Sequence, residues 1–318
     1  MKRLLYILPL LMMSCGNKTV EPAASEDVCQ VAFDADSAFE FVKKQCDFGP
    51  RTPASEAHRA CGDWIVEKFK SYGLTVEEQT TTLKGWDGKS LPCRNIIATY
   101  APDSTSNESL MLCAHWDSRP WADADKDETK HKTPVDAAND GASGVAVMLE
   151  TARKLSELKP KVKIYFVCFD LEDYGAPDWA GVQTDGSDWA LGSQYFAAQK
   201  PNFATQAILL DMVGGKGAKF CYEHYSASYA PELVAQVWGA AVTAGKEDWF
   251  QQTDGGMVND DHIALNGAGT PTIDIIPYDP SNGFGPTWHT TQDTPDNISK
   301  ETLAAVGQTL LQFIYEKK

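Results

Sequence analysis

Residues 162–173 read V-K-I-Y-F-V-C-F-D-L-E-D, an apolar run closed by carboxylates. A short continuous run of this kind is expected to be a strand buried on both faces. Glu172 and Asp173 then stand at the end of a core strand, where surface carboxylates fit poorly. The pattern recurs along the chain. Residues 110–114 form a second apolar run that delivers His115, residues 207–212 a third that carries Asp211, and residues 271–276 a fourth. Residues 76–83 alternate as a strand, and residues 95–100 form another.

Helical spacing appears between these runs. Residues 143–158 place Val145, Met148, Leu149, Ala152 and Leu155 on one face, and residues 302–315 do the same with Leu303, Val306, Leu310 and Phe313. Further helices are expected over residues 36–45, 58–72 and 187–198. Strands alternating with helices imply an α/β fold, a mostly parallel mixed central sheet with helices on both faces. Such sheets bind ligands at the carboxyl ends of their strands. His115, the Glu172-Asp173 pair and Asp211 would converge there on one crevice.

The chain has 318 residues, 43% of them hydrophobic, enough for one large domain. A formal net charge of −16 argues against nucleic acid and suits a cationic or amine-bearing substrate. At the start, Lys2 and Arg3 precede an apolar stretch over residues 4–13, then Ser14 and Cys15. That stretch is too short to span a membrane and reads as a bacterial lipoprotein signal, cleaved before a lipid-bearing Cys15. The expected organisation is a signal over residues 1–14, a tether over 15–35 and one catalytic domain over 36–318. The membrane is then touched only through the anchor, and the protein sits in the cell envelope. Seven further cysteines include no C-x-x-C pair, and Cys113 and Cys168 read as small buried hydrophobes.

The polar motifs carry the chemistry. Asp140 lies in N-D-G-A-S-G just before a helix, where a turn or cap is the ordinary role, and the following glycine allows close backbone approach. His289 lies in P-T-W-H-T-T-Q-D-T, with Thr290, Thr291 and Asp293 placed to orient its ring. Imidazole and carboxylate are the ligands of a catalytic zinc that keeps a position open. Glu172 and Asp173 are consecutive and cannot share a role, so one binds metal while the other carries a proton. Asp211 follows three apolar residues and needs a partner. Asp260-Asp261-His262 is either a small polar cluster or part of a pocket rim, and residues 121–133 read as a solvated acidic loop. His58, His131 and His224 have no supporting pattern.

Six motifs in one order, H-W-D-S-R, N-D-G-A-S-G-V, F-D-L-E-D, L-L-D-M-V-G, N-D-D-H-I and F-G-P-T-W-H-T, make residues 36–316 resemble the animal-type zinc-dependent glutaminyl-peptide cyclotransferases. These share a superfamily and a zinc aminopeptidase-like fold with the M28 aminopeptidases. The resemblance implies one zinc per chain, held by Asp140, Asp173 and His289. It implies Glu172 as the proton carrier, Asp211 and Asp260 as buried carboxylates networked with it, and a pocket lined by Trp179, Val258, Phe284 and Trp288. Asp173 stands where the animal members carry Glu. The implied reaction converts an N-terminal glutamine of a peptide into pyroglutamate and releases ammonia, in a monomeric enzyme. The aminopeptidases bind two metals, and this chain retains His115, Asp117 and Asp211 at the corresponding positions, so ligand counting leaves both activities open. Phe284, Trp288 and the N-D-D-H-I segment favour the cyclase. A lipid-anchored binding protein with a vestigial metal centre is a third reading, opposed by the intact Glu172.

Overall fold

A computed structural model describes residues 28–102 and 106–317. The signal segment and Cys15 lie outside the described residues. In chain order the elements begin with α1 (Ala35–Asp47), α2 (Glu56–Ser71), β1 (Thr75–Lys84), β2 (Ser90–Tyr100) and β3 (Ser109–His115). They continue with α3 (Ala142–Leu158), β4 (Lys163–Phe169), α4 (Leu191–Gln199), β5 (Gln206–Leu210), β6 (Phe220–Tyr222) and α5 (His224–Tyr229). The last are α6 (Pro231–Thr243), β7 (Phe250–Asp254), α7 (Asp261–Gly267), β8 (Thr272–Ile275) and α8 (Lys300–Glu316).

Six strands form one sheet in the order β1-β2-β4-β3-β5-β8. The β1-β2 and β2-β4 pairs are antiparallel, and β4, β3, β5 and β8 run parallel. Alternation along each strand splits the core in two. Leu110, Leu112, Phe166, Cys168 and Ile208 pack with residues of α1, α2, α3, α6 and α8. Met111, Cys113, Val167, Phe169 and Leu209 pack on the other face with Phe196 of α4 and Leu265 of α7. Both faces are covered, which explains why the parallel strands read as unbroken apolar runs.

Chain path opens the crevice. From β3 the chain passes through α3 to β4 on one side, then through α4 to β5 on the other side of β3. Connections that diverge at one strand leave a gap at its carboxyl end. Helix α3 is pressed against this gap, since a Cβ on Gly144 would stand 2.2 Å from the Leu210 carbonyl oxygen. Only glycine permits that approach.

Two expectations change, and several elements had none. The helix expected from residue 187 begins at Leu191, because Ala190 has φ +53, outside helical backbone. The amides of Ala190 and Leu191 donate instead to the carbonyls of Glu172 and Leu171. The β6-β7 pair and helices α5, α6 and α7 carry no expectation above; β6 has three residues, whereas α6 buries Leu233, Val234, Val237 and Trp238 at helical spacing. The tether does not extend to residue 35. Cys29 and Phe33 are buried, the Cys29 amide donates to Gln312 Oε1 at 2.8 Å, and the Phe33 amide donates to Gln308 Oε1 at 2.9 Å. Glutamines of α8 thus satisfy backbone that a free tether would leave to water.

A Cβ on Gly307 would stand 2.2 Å from the Phe33 ring, so this ring fills a notch in α8. Phe33→Ala is expected to destabilise the domain by about 3 kcal/mol, read from urea unfolding.

Candidate active site

Asp140 lies just before α3, whose N-cap Gly141 has φ +98 and no side-chain cap. A Cβ on Gly141 would stand 2.8 Å from the Asp117 carbonyl oxygen, the close approach expected of this glycine. With no capping duty, the Asp140 side chain faces the crevice. Its backbone is held by buried Asp293, whose carboxylate accepts from the amides of Asn139 at 2.8 Å and Asp140 at 3.0 Å. Burial and the charge of Asp140 push the Asp293 carboxyl up to about 7. Asp293 therefore clamps Asp140, not the His289 ring that the sequence suggested.

The end of β4 is shaped by Leu171, at φ +57, and by Asp117. The buried Asp117 carboxylate accepts from the amides of Glu172 at 3.1 Å and Asp173 at 3.2 Å. This turn sends the two neighbouring acids to different surroundings. Asp173 Oδ1 lies 3.1 Å from His289 Nε2. Burial alone would raise Asp173, but the charge and hydrogen bond of His289, with the charges of His115 and Arg119, together outweigh it and hold the carboxyl below its usual range. Glu172 lines the pocket, and burial, then the charge of Asp173, pushes its carboxyl well above the ordinary glutamate range. The two neighbours thus face different surroundings, Asp173 against His289 and Glu172 in the cavity.

Two groups of three potential ligands share Asp140. Asp140, Asp173 and His289 form one, and His115, Asp140 and Asp211 form the other, with donor atoms in each group within 4.8 Å of one another. His115 Nε2 stands 3.0 Å from Asp140 Oδ1 and 3.3 Å from Asp211 Oδ1. Met212, the residue after Asp211, has φ +51. The first group fits zinc. Both Asp173 oxygens are buried without an aligned hydrogen bond, although His289 approaches one of them closely. Converging nitrogen and oxygen donors with nothing between them are what a bound cation satisfies.

His289, itself at φ +51, is oriented from an unexpected direction. Its Nδ1 lies 3.4 Å from Asp123 Oδ1, and Asp123 is gripped by Arg119 through Nε at 2.7 Å and Nη2 at 2.5 Å. Asp125 accepts from the amide and hydroxyl of Thr291, and the Ala124 amide donates to the His289 carbonyl. The stretch over residues 121–133, read as a solvated loop, therefore carries the support of the metal-site histidine. Spacing offered no signal for this, since some 160 residues separate the loop from its partners.

A cavity of about 250 Å³ opens beside these groups, and Asp140, Glu172, Asp211, Asp260 and His289 face it. Its walls include Val258, Phe284 and Trp288, as expected, together with Trp189, Met212, Ile276 and Tyr278. Trp288 stacks on His289 with ring centres 3.7 Å apart, and Phe284 stacks on Trp288 at 4.6 Å. Trp179 is not among the lining residues. It is 42% exposed on a short 3-10 turn and meets Trp121 edge-on. Trp189, ten residues on in the same loop, takes the wall instead, lying parallel to His289 at 5.8 Å and under the Arg119 guanidinium at 4.5 Å. Both tryptophans follow Asp173, and only the path of the loop decides between them.

Asp123→Asn keeps the shape beside His289 but loses the charge that orients its Nδ1–H. Zinc affinity, measured by chelator competition, is expected to fall about 10- to 100-fold, with the fold retained.

Residues 95–314 match peptidase family M28. A glutaminyl cyclase from Bacteroides thetaiotaomicron, solved bound to N-acetylhistamine, has 46% sequence identity and a TM-score of 0.86, covering 90% of this chain and 99% of its own. A protein from the same species described as a leucine aminopeptidase precursor has 45% identity and a TM-score of 0.86, covering 92% of this chain and all of its own. Among curated proteins, Aminopeptidase YwaD of Bacillus subtilis is 28% identical over 79% of this chain, and glutaminyl-peptide cyclotransferase of Bos taurus 25% over 70%. The chain spans 50% and 65% of the lengths of those two proteins. The ligand set at the strand ends agrees with these matches: the chain belongs to peptidase family M28, and bacterial glutaminyl cyclases are among its close structural neighbours.

Proposed function

We propose that this protein is a zinc-dependent glutaminyl-peptide cyclotransferase, converting the N-terminal glutamine of peptides and proteins into pyroglutamate with release of ammonia. The observation that carries this reading is the small aromatic cavity, in which Trp189, Phe284 and Trp288 enclose a space faced by Glu172, Asp211 and Asp260. Cyclisation is intramolecular, so the site's task is to hold the glutamine side chain curled against its own amine and to exclude water. Water entering the reaction would give glutamate.

One zinc per chain is held in this reading by Asp140, Asp173 and His289. Lewis-acid polarisation of the side-chain amide carbonyl is the chemistry that such an ion supplies when bound. Glu172 takes a proton from the α-amine as the new carbon–nitrogen bond forms, and returns a proton to the departing nitrogen, which leaves as ammonia. One proton is taken and one given back, so Glu172 ends each turnover as it began. The charges of Asp173, then Asp260 and Asp261, limit its ionisation, and Asp211 and Asp260 share the cavity with it.

A second reading has one specific support. The group formed by His115, Asp140 and Asp211 offers a neighbouring ion a place, as a two-metal aminopeptidase needs. His115 Nε2 approaches both Asp140 and Asp211 there, so the number of metal equivalents separates the two readings.

Incubation with glutamine-initiated peptides should release ammonia and no free amino acid, with one zinc per chain by elemental analysis. Rapid cleavage of leucyl or alanyl amides, with two metal equivalents required, would replace the cyclase reading with the aminopeptidase.

Glu172→Gln is expected to retain zinc and lose about 10²–10⁴-fold in turnover. Asp173→Asn should instead weaken zinc binding itself. Because Glu172 acts as a base from a raised value, the rate should climb with pH through a midpoint above the ordinary glutamate range. Full activity of Glu172→Gln would refute the mechanism.

A further inference from the structure

A peptide held in the cavity by its first residue has to leave it with the rest of its chain, and the two sides of the mouth differ. On one side the Asn259 side-chain amide donates to the Gly186 carbonyl at 3.2 Å, tying the pocket edge to the loop that carries Trp189. On the other, Met212, Tyr278, Phe284 and Trp288 pass from the cavity wall into a second groove of about 650 Å³. The rings step away from His289 in a row. Centres lie 3.7 Å apart from His289 to Trp288, 4.6 Å on to Phe284 and 4.9 Å on to Tyr278. An extended chain advances about 3.3 Å per residue, so one that follows this row from His289 clears it at about its third or fourth residue.

Pro277, Pro280 and Pro286 line the groove together with the three rings. Its wall turns tightly between Asp279 and Gly283, where the Asp279 amide donates to the Gly283 carbonyl at 3.1 Å and the Gly283 amide to the Asp279 carbonyl at 2.7 Å. The chain after β7 is seated on the same wall, since a Cβ on Gly256 would stand 3.0 Å from the Tyr278 ring. The charged groups of the groove are taken up within the chain. Asp279 accepts from the Ser281 amide at 2.8 Å and the Asn282 side chain at 2.7 Å, and Asp254 accepts from the Gly256 amide at 2.9 Å. Lys216 donates to the Asp296 carbonyl and Lys219 to the Asp248 carbonyl. What remains to be covered is the surface of prolines and rings, which takes an apolar side chain better than a charged one.

We propose that this groove binds the chain that follows the N-terminal residue and seats an apolar side chain at the substrate's third or fourth position, so that extended apolar chain ends are selected over glutamine dipeptides. The reaction at the first residue rests on the cyclisation reading; the groove as a peptide site does not. Contacts this far from the reacting bond are the same before and during the reaction, so their effect falls on KM and not on kcat. Cys221 offers a reporter in the groove. It stands beside Thr253, whose hydroxyl lies 3.3 Å from its sulfur, and it is one of two described cysteines that are not buried.

The test uses the zinc-loaded protein and three peptide amides: a glutamine–alanine dipeptide, a pentapeptide with leucine at its third and fourth positions, and a pentapeptide with aspartate there. The leucine pentapeptide should have a kcat/KM about tenfold above the other two, carried by KM, as partial burial of one such side chain gives. Gly285→Leu and Thr253→Trp fill the groove from two different segments. No atom lies within 4 Å of where a Cβ on Gly285 would stand, and Thr253 is exposed on β7, so each position can carry the larger side chain. In both variants the preference for the leucine pentapeptide over the dipeptide should largely disappear. In the Glu172→Gln protein, which leaves peptides intact, the leucine pentapeptide should slow N-ethylmaleimide labelling of Cys221, located by mass spectrometry, and the dipeptide should not. Equal kcat/KM for the three amides, a preference for aspartate, or a leucine preference that survives both variants would overturn the proposal. So would shielding of Cys221 by rising protein concentration alone, which gives the groove to a second copy of the chain. If one variant does not fold, the other and the labelling still decide. If no amide releases ammonia, the cyclisation reading fails and the labelling judges the groove: shielding by the leucine pentapeptide upholds it, and no shielding overturns it.

Discussion

Asp140, Asp173 and Asp211 are buried around two imidazoles, and carboxylates so placed stay charged only where something compensates each of them. Much of the surrounding structure supplies that compensation. Asp117 and Asp293 spend their charge on backbone amides, and so fix the two turns that present the acids. Arg119 is buried with Asp123 and donates to the Asp173 carbonyl, bringing a permanent cation to the edge of the cluster. The aromatic side chains wall one side of the cluster, and a less polar wall strengthens the electrostatic interactions beside it. Helices α3 and α4 hold the crevice open from opposite faces of the sheet, so the fold serves mainly to keep these charges at their spacing.

The parts of the site that lie next to a strand end were legible in the sequence. An apolar run followed by carboxylates identifies Glu172 and Asp173, and a glycine-rich helix start identifies Asp140, because strand, turn and side chain are consecutive. His289 was legible through its flanking Trp288 and threonines. Supports that arrive from elsewhere were not. Asp123 reaches His289 only after the chain has crossed the sheet and returned, and its acidic surroundings look like those of any solvated loop. Trp179 and Trp189 sit in one loop with similar neighbours, and position in space separates them where composition does not. Asp260-Asp261-His262 was legible as a polar cluster or rim, but its neighbours Glu223 and Asp274 come from different elements and were not.

The ligand set and the fold do not by themselves select a reaction here, since cyclases and aminopeptidases both stand among the similar proteins. The two ligand groups meeting at Asp140 would accommodate either chemistry. What differs is the space beside them. A cavity walled by Trp189, Phe284 and Trp288 is shaped for one small flexible group held dry, and the chemistry is chosen by that enclosure more than by the ions.

Leu171, Met212 and His289 adopt left-handed backbone at the three places where the chain enters or leaves the site. Such conformations cost non-glycine residues roughly 1–3 kcal/mol each. These buried turns therefore store free energy that the rest of the domain must supply. Binding and strain are linked by mass action: a ligand that needs this backbone shape is held less tightly by the cost of the shape, and in return protects the rim from local opening. A protein emptied of its ligands would lose amide protection at these three turns before the sheet beneath them opened.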